Sequence, residues 1–350
     1  MNEKRQLLNQ PIEHLDLEAF DSVPLVEAMG KMSFTARDLS RAAEIYDRML
    51  GDRDCAVILC LAGSLISSGL KHILISLVEH SMVDAVVSTG ANMVDQDFFE
   101  GLGFRHYAAP EPYRSGLFDD RLRGLMIDRI YDTFIDEEEL RECDHAVKEI
   151  ADALDPRPYS SRELMIELGK YLREHDKGER SLLSAASELG VPIFCPALSD
   201  SSAGLGIVAH IQERRGKAAV SFDSAKDFWE LTQVKIRNPT TGLLMVGGGV
   251  PKNFAQDIVV AADILGHDAP MHKYAIQISV ADARDGALSG STLKEAASWG
   301  KVDTGYEQMV FSEATVALPL IAGYAYRKGS WKGRGSHRFN DLLDELAESA

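Results

Sequence analysis

A chain of 350 residues with 45% hydrophobic and 26% charged residues has the composition of a globular protein with a large core. Its 54 acidic against 37 basic residues exclude the concentrated positive charge that nucleic-acid binding demands, whereas an acidic surface can steer amines. No apolar run is long enough to span a bilayer and no secretory apolar region follows the start. The four cysteines lack a Cys-x-x-Cys spacing, so a cytoplasmic protein with reduced thiols, no membrane contact and no metal site is expected.

In chain order, the apolar and β-branched runs Ala56–Leu61, Ala85–Ser88, Val191–Phe194, Ala218–Ser221, Leu243–Val246, Tyr274–Ser279 and Gln308–Phe311 read as strands. Several are apolar almost throughout, the pattern of strands covered on both faces, and Pro192 confines the third to a strand start or a sheet edge. Helical patterns lie at Ala36–Met49, Leu70–Glu79, Asp136–Leu154, Ser161–Leu172, Leu182–Glu188, Ala225–Ile236 and Phe254–Leu265. The alternation predicts an α/β protein, doubly wound around a mostly parallel sheet with helices on both faces. A single domain over 1–350 is expected. Within it, Tyr107–Thr133 reads as a long irregular connection or an active-site cover. The glycine-rich segment 328–335 reads as a mobile linker before a last amphipathic helix at Phe339–Glu348.

Two segments point to chemistry. In Glu295-Ala-Ala-Ser-Trp-Gly-Lys301 a lysine stands beside an indole, and an aromatic wall can desolvate an amine that must be neutral to attack a carbonyl or imine. The glycines Gly247-Gly248-Gly249 follow the Leu243–Val246 strand, where backbone can approach a ligand closely. Ala62-Gly63-Ser64-Leu-Ile-Ser67-Ser68-Gly69 and Ser88-Thr89-Gly90-Ala91 also follow strands. They suit either a helix cap or a pyrophosphate at a helix N-terminus; no Gly-x-Gly-x-x-Gly is present.

With Met82-Val-Asp84, Cys195-Pro-Ala-Leu-Ser-Asp200 and Pro319-Leu320, these segments follow the order seen in deoxyhypusine synthases, and the chain resembles that family from about Phe34 to Tyr326. The resemblance implies a Rossmann-like, NAD-dependent enzyme that passes an aminobutyl group from a polyamine through a lysine imine, assembled as a homotetramer with shared active sites. It implies Lys301 as the catalytic lysine and Trp299, Glu295, Gly286 and Asn253 as substrate-binding positions. It implies NAD contacts from Gly63, Ser64, Ser67, Thr89, Gly90, Ala91, Asp200, Gly248, Glu313 and Ala314. Asp200 has a physical role open to it, since a carboxylate accepts hydrogen bonds from both hydroxyls of a ribose.

The departures are informative too. Asn253 replaces the family's histidine and cannot shuttle a proton near neutral pH. Gln277 replaces a pocket tyrosine, while Leu205 and Leu288 replace carboxylates, unless Asp285, Asp282, Asp257 or Asp95 take their place. A pocket short of two anions suits an amine with fewer or differently spaced charges, such as putrescine converted to homospermidine, or agmatine. The rival expectation is a non-catalytic NAD or polyamine sensor, which retention of Trp299, Lys301 and Glu295 opposes.

Overall fold

The computed structural model describes residues 3–348. Its centre is a six-stranded sheet: β1 (Ala56–Leu61), β2 (Ala85–Val87), β3 (Ile193–Phe194), β4 (Thr241–Val246), β5 (His272–Ile278) and β6 (Val302–Val310). All pairings in it are parallel, and the spatial order is β3-β2-β1-β4-β5-β6. This is the Rossmann order, in which the chain starts at the middle and winds outward in both directions. The topological switch point lies between β1 and β4, so a crevice opens outside the carboxyl ends of those two strands.

The strand sequences account for the arrangement. Every residue of β1 and β4 is buried, as central strands covered on both faces must be. β3 begins just after Pro192 and sits at one edge, where a missing N–H costs nothing. β6 is the other edge. It is longer than its apolar run Gln308–Phe311 indicates, because Asp303–Gly305 are polar and exposed and a one-sided strand needs no continuous apolar signal.

The helices expected from the sequence form with shifts at their ends, among them Thr35–Gly51, Glu137–Ala153, Ser161–Glu174 and Gly249–Ile264. Two others, Ser202–Glu213 and Ala314–Lys328, went unread. The first is apolar around most of its surface, with Leu205, Val208 and Ile211 exposed. The second contains Pro319 and Gly323, ordinarily breakers, and is buried. Gly323 is required there by packing, because a Cβ would lie 2.5 Å from the Phe20 ring.

Three local expectations are corrected. The 107–133 region is not irregular: Tyr107–Ala108, Ile127–Ile130 and Thr133–Asp136 pair as a small antiparallel sheet with a core of its own around Leu122, Ile127 and Phe134. The Ala218–Ser221 strand shrinks to Ser221–Phe222, which pairs with Pro158–Tyr159 outside the main sheet. The 328–335 stretch is not a plain linker. The Trp331 indole N–H donates to the Tyr326 carbonyl at 2.9 Å, and Arg334 donates to the carbonyls of Ser81 and Cys55 and to the carboxylate of Asp84. Asp84 in turn accepts from the Val57 N–H, so a buried ion pair ties the starts of β1 and β2 together.

No helix among the described residues is long and apolar enough to cross a membrane. No group of three or more potential metal ligands occurs among them.

Candidate active site

The crevice at the switch point is a cavity of about 350 Å³ lined by the segments that leave four strands: Ala62–Leu65 after β1, Gly247 and Gly248 after β4, Ile278–Ala281 after β5 and Ser312–Ala314 after β6. Gly63 has φ +85°, a left-handed conformation that favours glycine, and the space a Cβ would fill is open. Gly248 caps the Gly249–Ile264 helix, whose N-terminal N–H groups give the crevice a positive end. Opposite, the Glu313 carboxylate caps the Ala314–Lys328 helix through the Thr315 N–H at 2.8 Å.

Of the residues expected around a dinucleotide, Gly63, Ser64, Gly248, Glu313 and Ala314 therefore share one crevice. Ser67, Thr89, Gly90 and Ala91 do not line it. The Ser67 N–H is held by the Gln96 side chain at 2.9 Å, and the Leu65 N–H by the Asn92 side chain at 2.9 Å. Thr89 caps the turn Gly90–Asn92, and a Cβ on Gly90 would collide with the Ser201 hydroxyl at 2.2 Å. These residues shape the crevice from outside it. Asp200 lies in a separate cavity of about 260 Å³ at the end of β3, with Ser161, Cys195 and Asp227. Burial pushes Asp227 up to about 7.

A larger groove of about 600 Å³ runs along the Gly249–Ile264 helix. Asn253, Asp257, Val260, Ala261 and Ile264 form one wall; Gly286–Leu288, Ser291, Glu295, Trp299 and Lys301 form the other. All five positions assigned to the catalytic lysine and its substrate thus meet here. The short helix Leu293–Ser298 starts with a capping box between Thr292 and Glu295 and ends at Trp299; Gly300, at φ +71°, then turns the chain into Lys301 and β6.

The Lys301 amine lies 2.5 Å from Asp257 Oδ1, donates to Asn253 Oδ1 at 3.2 Å, and stands 5.3 Å from the centre of the Trp299 ring. Asn253 donates to Asp257 at 2.6 Å, which fixes its amide so that the oxygen faces the lysine. Trp299 is 69% exposed and forms an open flank of the groove. The expected free amine behind an aromatic wall is therefore an ion pair, with the indole beside it.

Asp257 was one of four carboxylates considered as replacements, and it alone of the four lines the groove. Asp282 pairs with Arg284, Asp285 caps its own turn at the Ala287 N–H, and Asp95 accepts from the Ser202 N–H, with burial raising it to about 6. The available signal was spacing: Asp257 stands four residues after Asn253 on one helix and shares its face. Leu288 lines the groove, whereas Leu205 lies on the exposed side of Ser202–Glu213, away from it.

Lys252 was missed. It is fully buried, and its amine donates to the carbonyl oxygens of Leu288 and Ser291 and to the Ser291 hydroxyl. Burial lowers it to about 8. Gln277 donates to the carbonyls of Gly247 and Ser289 at 2.9 and 3.0 Å. Together they pin the 286–291 segment as a partition between crevice and groove.

Comparison with known proteins agrees with this geometry. The deoxyhypusine synthase family model matches residues 24–325. A "Deoxyhypusine synthase-like protein" of Chlorobaculum parvum is 59% identical, covering 98% of this chain and 97% of its own, and one of Coxiella burnetii is 55% identical, covering 97% and 96%. "Probable deoxyhypusine synthase 2" of Methanosarcina mazei is 39% identical over 91% of both chains. The fold is shared with the crystal structure of a "putative deoxyhypusine synthase" from Entamoeba histolytica, at a TM-score of 0.58 and 19% identity over 90% of this chain and 97% of that one. A Rossmann-ordered sheet, a glycine-lined switch point and a lysine in an adjoining groove thus meet in a chain that belongs to the deoxyhypusine synthase family.

Proposed function

We propose that this chain is an NAD-dependent aminobutyl transferase acting on small polyamines, with Lys301 carrying the transferred group as an imine and a diamine such as putrescine as acceptor. The observation that carries the reading is the Lys301 amine, set in a groove with two carboxylates, Asp257 and Glu295, and an indole, one partition away from the switch-point crevice.

The crevice suits a dinucleotide: glycines leave room for its backbone, a helix N-terminus faces its phosphates, and Glu313 offers a carboxylate to hydroxyl groups. When bound, NAD supplies an acceptor for a hydride and later returns it. Gly63, Ser64, Gly248, Glu313 and Ala314 would hold it, and Asp200 lies further along the sheet.

The chain's own residues do the rest. Asp257 and Glu295 anchor ammonium groups, Trp299 and the Val260–Ile264 wall cover the methylene stretch, and Lys301 supplies the nucleophile. Leu288, where the family resemblance places a carboxylate, removes an anchor for a further charge. That favours a diamine over a triamine or a protein lysine as acceptor. Val280, Phe311 and Val316 are exposed apolar residues near the crevice mouth, which supports a homo-oligomeric assembly closing over it.

The test is mass spectrometry of amines after incubation with NAD and spermidine, with and without putrescine, beside Lys301→Ala. Release of 1,3-diaminopropane, or a homospermidine peak absent with the variant, supports transfer. Dinucleotide binding without any amine turnover would replace this reading with a sensor.

A further inference from the structure

The ion pair at the centre of the groove raises a chemical problem. A carboxylate 2.5 Å from an amine favours the ammonium form, and an ammonium has no lone pair with which to attack. Something must separate Lys301 from Asp257 before it can react. We propose that the amine substrate itself does this: its ammonium group takes over the Asp257 carboxylate, and Lys301, left without its counter-ion beside a new cation, releases its proton and becomes the nucleophile. The idea rests on the reading of Lys301 as the carrier and names Asp257 as the residue that switches it on.

The groups around the groove support the exchange. The Gly249–Ile264 helix brings Asp257 and Lys252 toward Lys301, and the Leu293–Ser298 helix brings Glu295. The 286–291 partition contains no ionisable side chain, and Phe228, the groove's contact from the Ser224–Arg237 helix, is apolar. Asp257 and Glu295 thus face Lys252 and Lys301, two charges against two. Glu295 is partly occupied by the Thr292 N–H of its capping box, and Lys252 is held by three oxygen acceptors on the partition. Glu295 thus keeps an oxygen for a second ammonium group, and Asp257 is the carboxylate whose exchange releases Lys301. Asp257 keeps 27% of its side chain exposed to the groove, whereas Lys301 keeps 11%, so an entering amine meets the carboxylate first. Asn253 contacts both partners and can keep the lysine in place when the carboxylate changes partner.

The chemistry balances. The proton lost by Lys301 passes to solvent as the substrate cation pairs with Asp257. The lysine lone pair then adds to the carbon of the substrate's protonated imine (an iminium), the π pair moves to its nitrogen, and that carbon–nitrogen bond breaks. The departing nitrogen receives one proton from the lysine nitrogen, leaving an iminium on Lys301 and a free amine.

The exchange is measurable without turnover. Lys301 is trace-labelled with acetic anhydride at one fixed pH in the cofactor-free protein, and its acetylated peptide is quantified by mass spectrometry, with and without 1,4-diaminobutane. In the wild-type protein the acetylated fraction should rise about tenfold on adding the diamine, as an amine freed from its counter-ion becomes available to react. In Asp257→Asn the labelling should already be high and ignore the diamine, and Asp257→Glu should restore the response. Equal labelling of wild type and Asp257→Asn, or wild-type labelling that no diamine concentration raises, would overturn the proposal. The wild-type response tests it even if the asparagine variant fails to fold. A rise in labelling in a protein that turns over no amine would leave the switch standing and refute the transferase reading alone.

Discussion

Leu288 and Ser289 are neighbours in the chain but face different cavities, Leu288 the groove that holds Lys301 and Ser289 the crevice at the switch point. The partition between the two sites is therefore one peptide thick at this point. Lys252 and Gln277, which hold its carbonyl groups, fix the position of that partition.

Leu288 is the direct place to test substrate charge. Leu288→Asp should raise kcat/KM for spermidine relative to putrescine by about 5- to 10-fold, since a partly desolvated ion pair contributes on the order of 1 kcal/mol. An unchanged ratio would show that this position does not set the preference.

The two glycines of the crevice should respond differently to alanine. A Cβ on Gly248 would lie 2.5 Å from the Ser289 backbone, so Gly248→Ala must displace the partition and should weaken cofactor binding at least about 10-fold. Gly63 has room, so Gly63→Ala should cost only its left-handed backbone, about 1–2 kcal/mol in stability. Calorimetric titration with NAD and thermal denaturation separate the two effects.

Arg334 and Asp84 are buried together, and burial already pushes the Asp84 carboxyl up. Arg334→Met leaves that carboxyl without its partner and should destabilise the protein by about 3–5 kcal/mol in urea denaturation. Adding Asp84→Asn should recover part of the loss. Equal stability of Arg334→Met and wild type would refute the structural role given to the 328–335 segment.

His272 is fully buried and accepts no proton easily: burial, then the Lys235 charge, lower it to about 3. Its ring contacts the Thr241 hydroxyl at 2.8 Å and the Ala255 carbonyl at 3.1 Å. The unfolded chain binds a proton there below about 6.5, whereas the folded chain does so only near 3. Its contribution is thus intact above 6.5 and is lost as pH falls toward 3, at about 1.4 kcal/mol per pH unit. His272→Gln should flatten the acid limb of stability by that slope; an identical limb would assign acid unfolding to the carboxylates alone.

The central strands were legible because burial on both faces leaves a continuous apolar signature, as in Ala56–Leu61. The edge strand Val302–Val310 was only half legible, since its exposed residues carry no pattern. Ala314–Lys328 was hidden by Pro319, which the sequence alone marks as a breaker and which tertiary packing accommodates. The site followed the same division. Trp299, Glu295 and Lys301 declared themselves by local arrangement, while the partnership of Lys301 with Asp257 joins residues 44 apart and depends on how a helix lies beside an edge strand. Lys252 gave no signal, because its role is to hold carbonyl oxygens that any sequence would supply.

β6 begins one residue after Lys301 and ends three residues before Glu313. This strand, set against the seven residues His272–Ile278 with a bulge near its start, therefore spans about 20 Å at 3.3 Å per residue between the Lys301 backbone and the far rim of the crevice. Its length is fixed by hydrogen bonds to β5 and cannot stretch to suit a guest. The molecule consequently acts as a calliper with fixed jaws, in which the reach of the lysine side chain and the thin partition are the adjustable parts. If the groove takes amines as proposed, it should sort them by how their carbon spacing matches that gap.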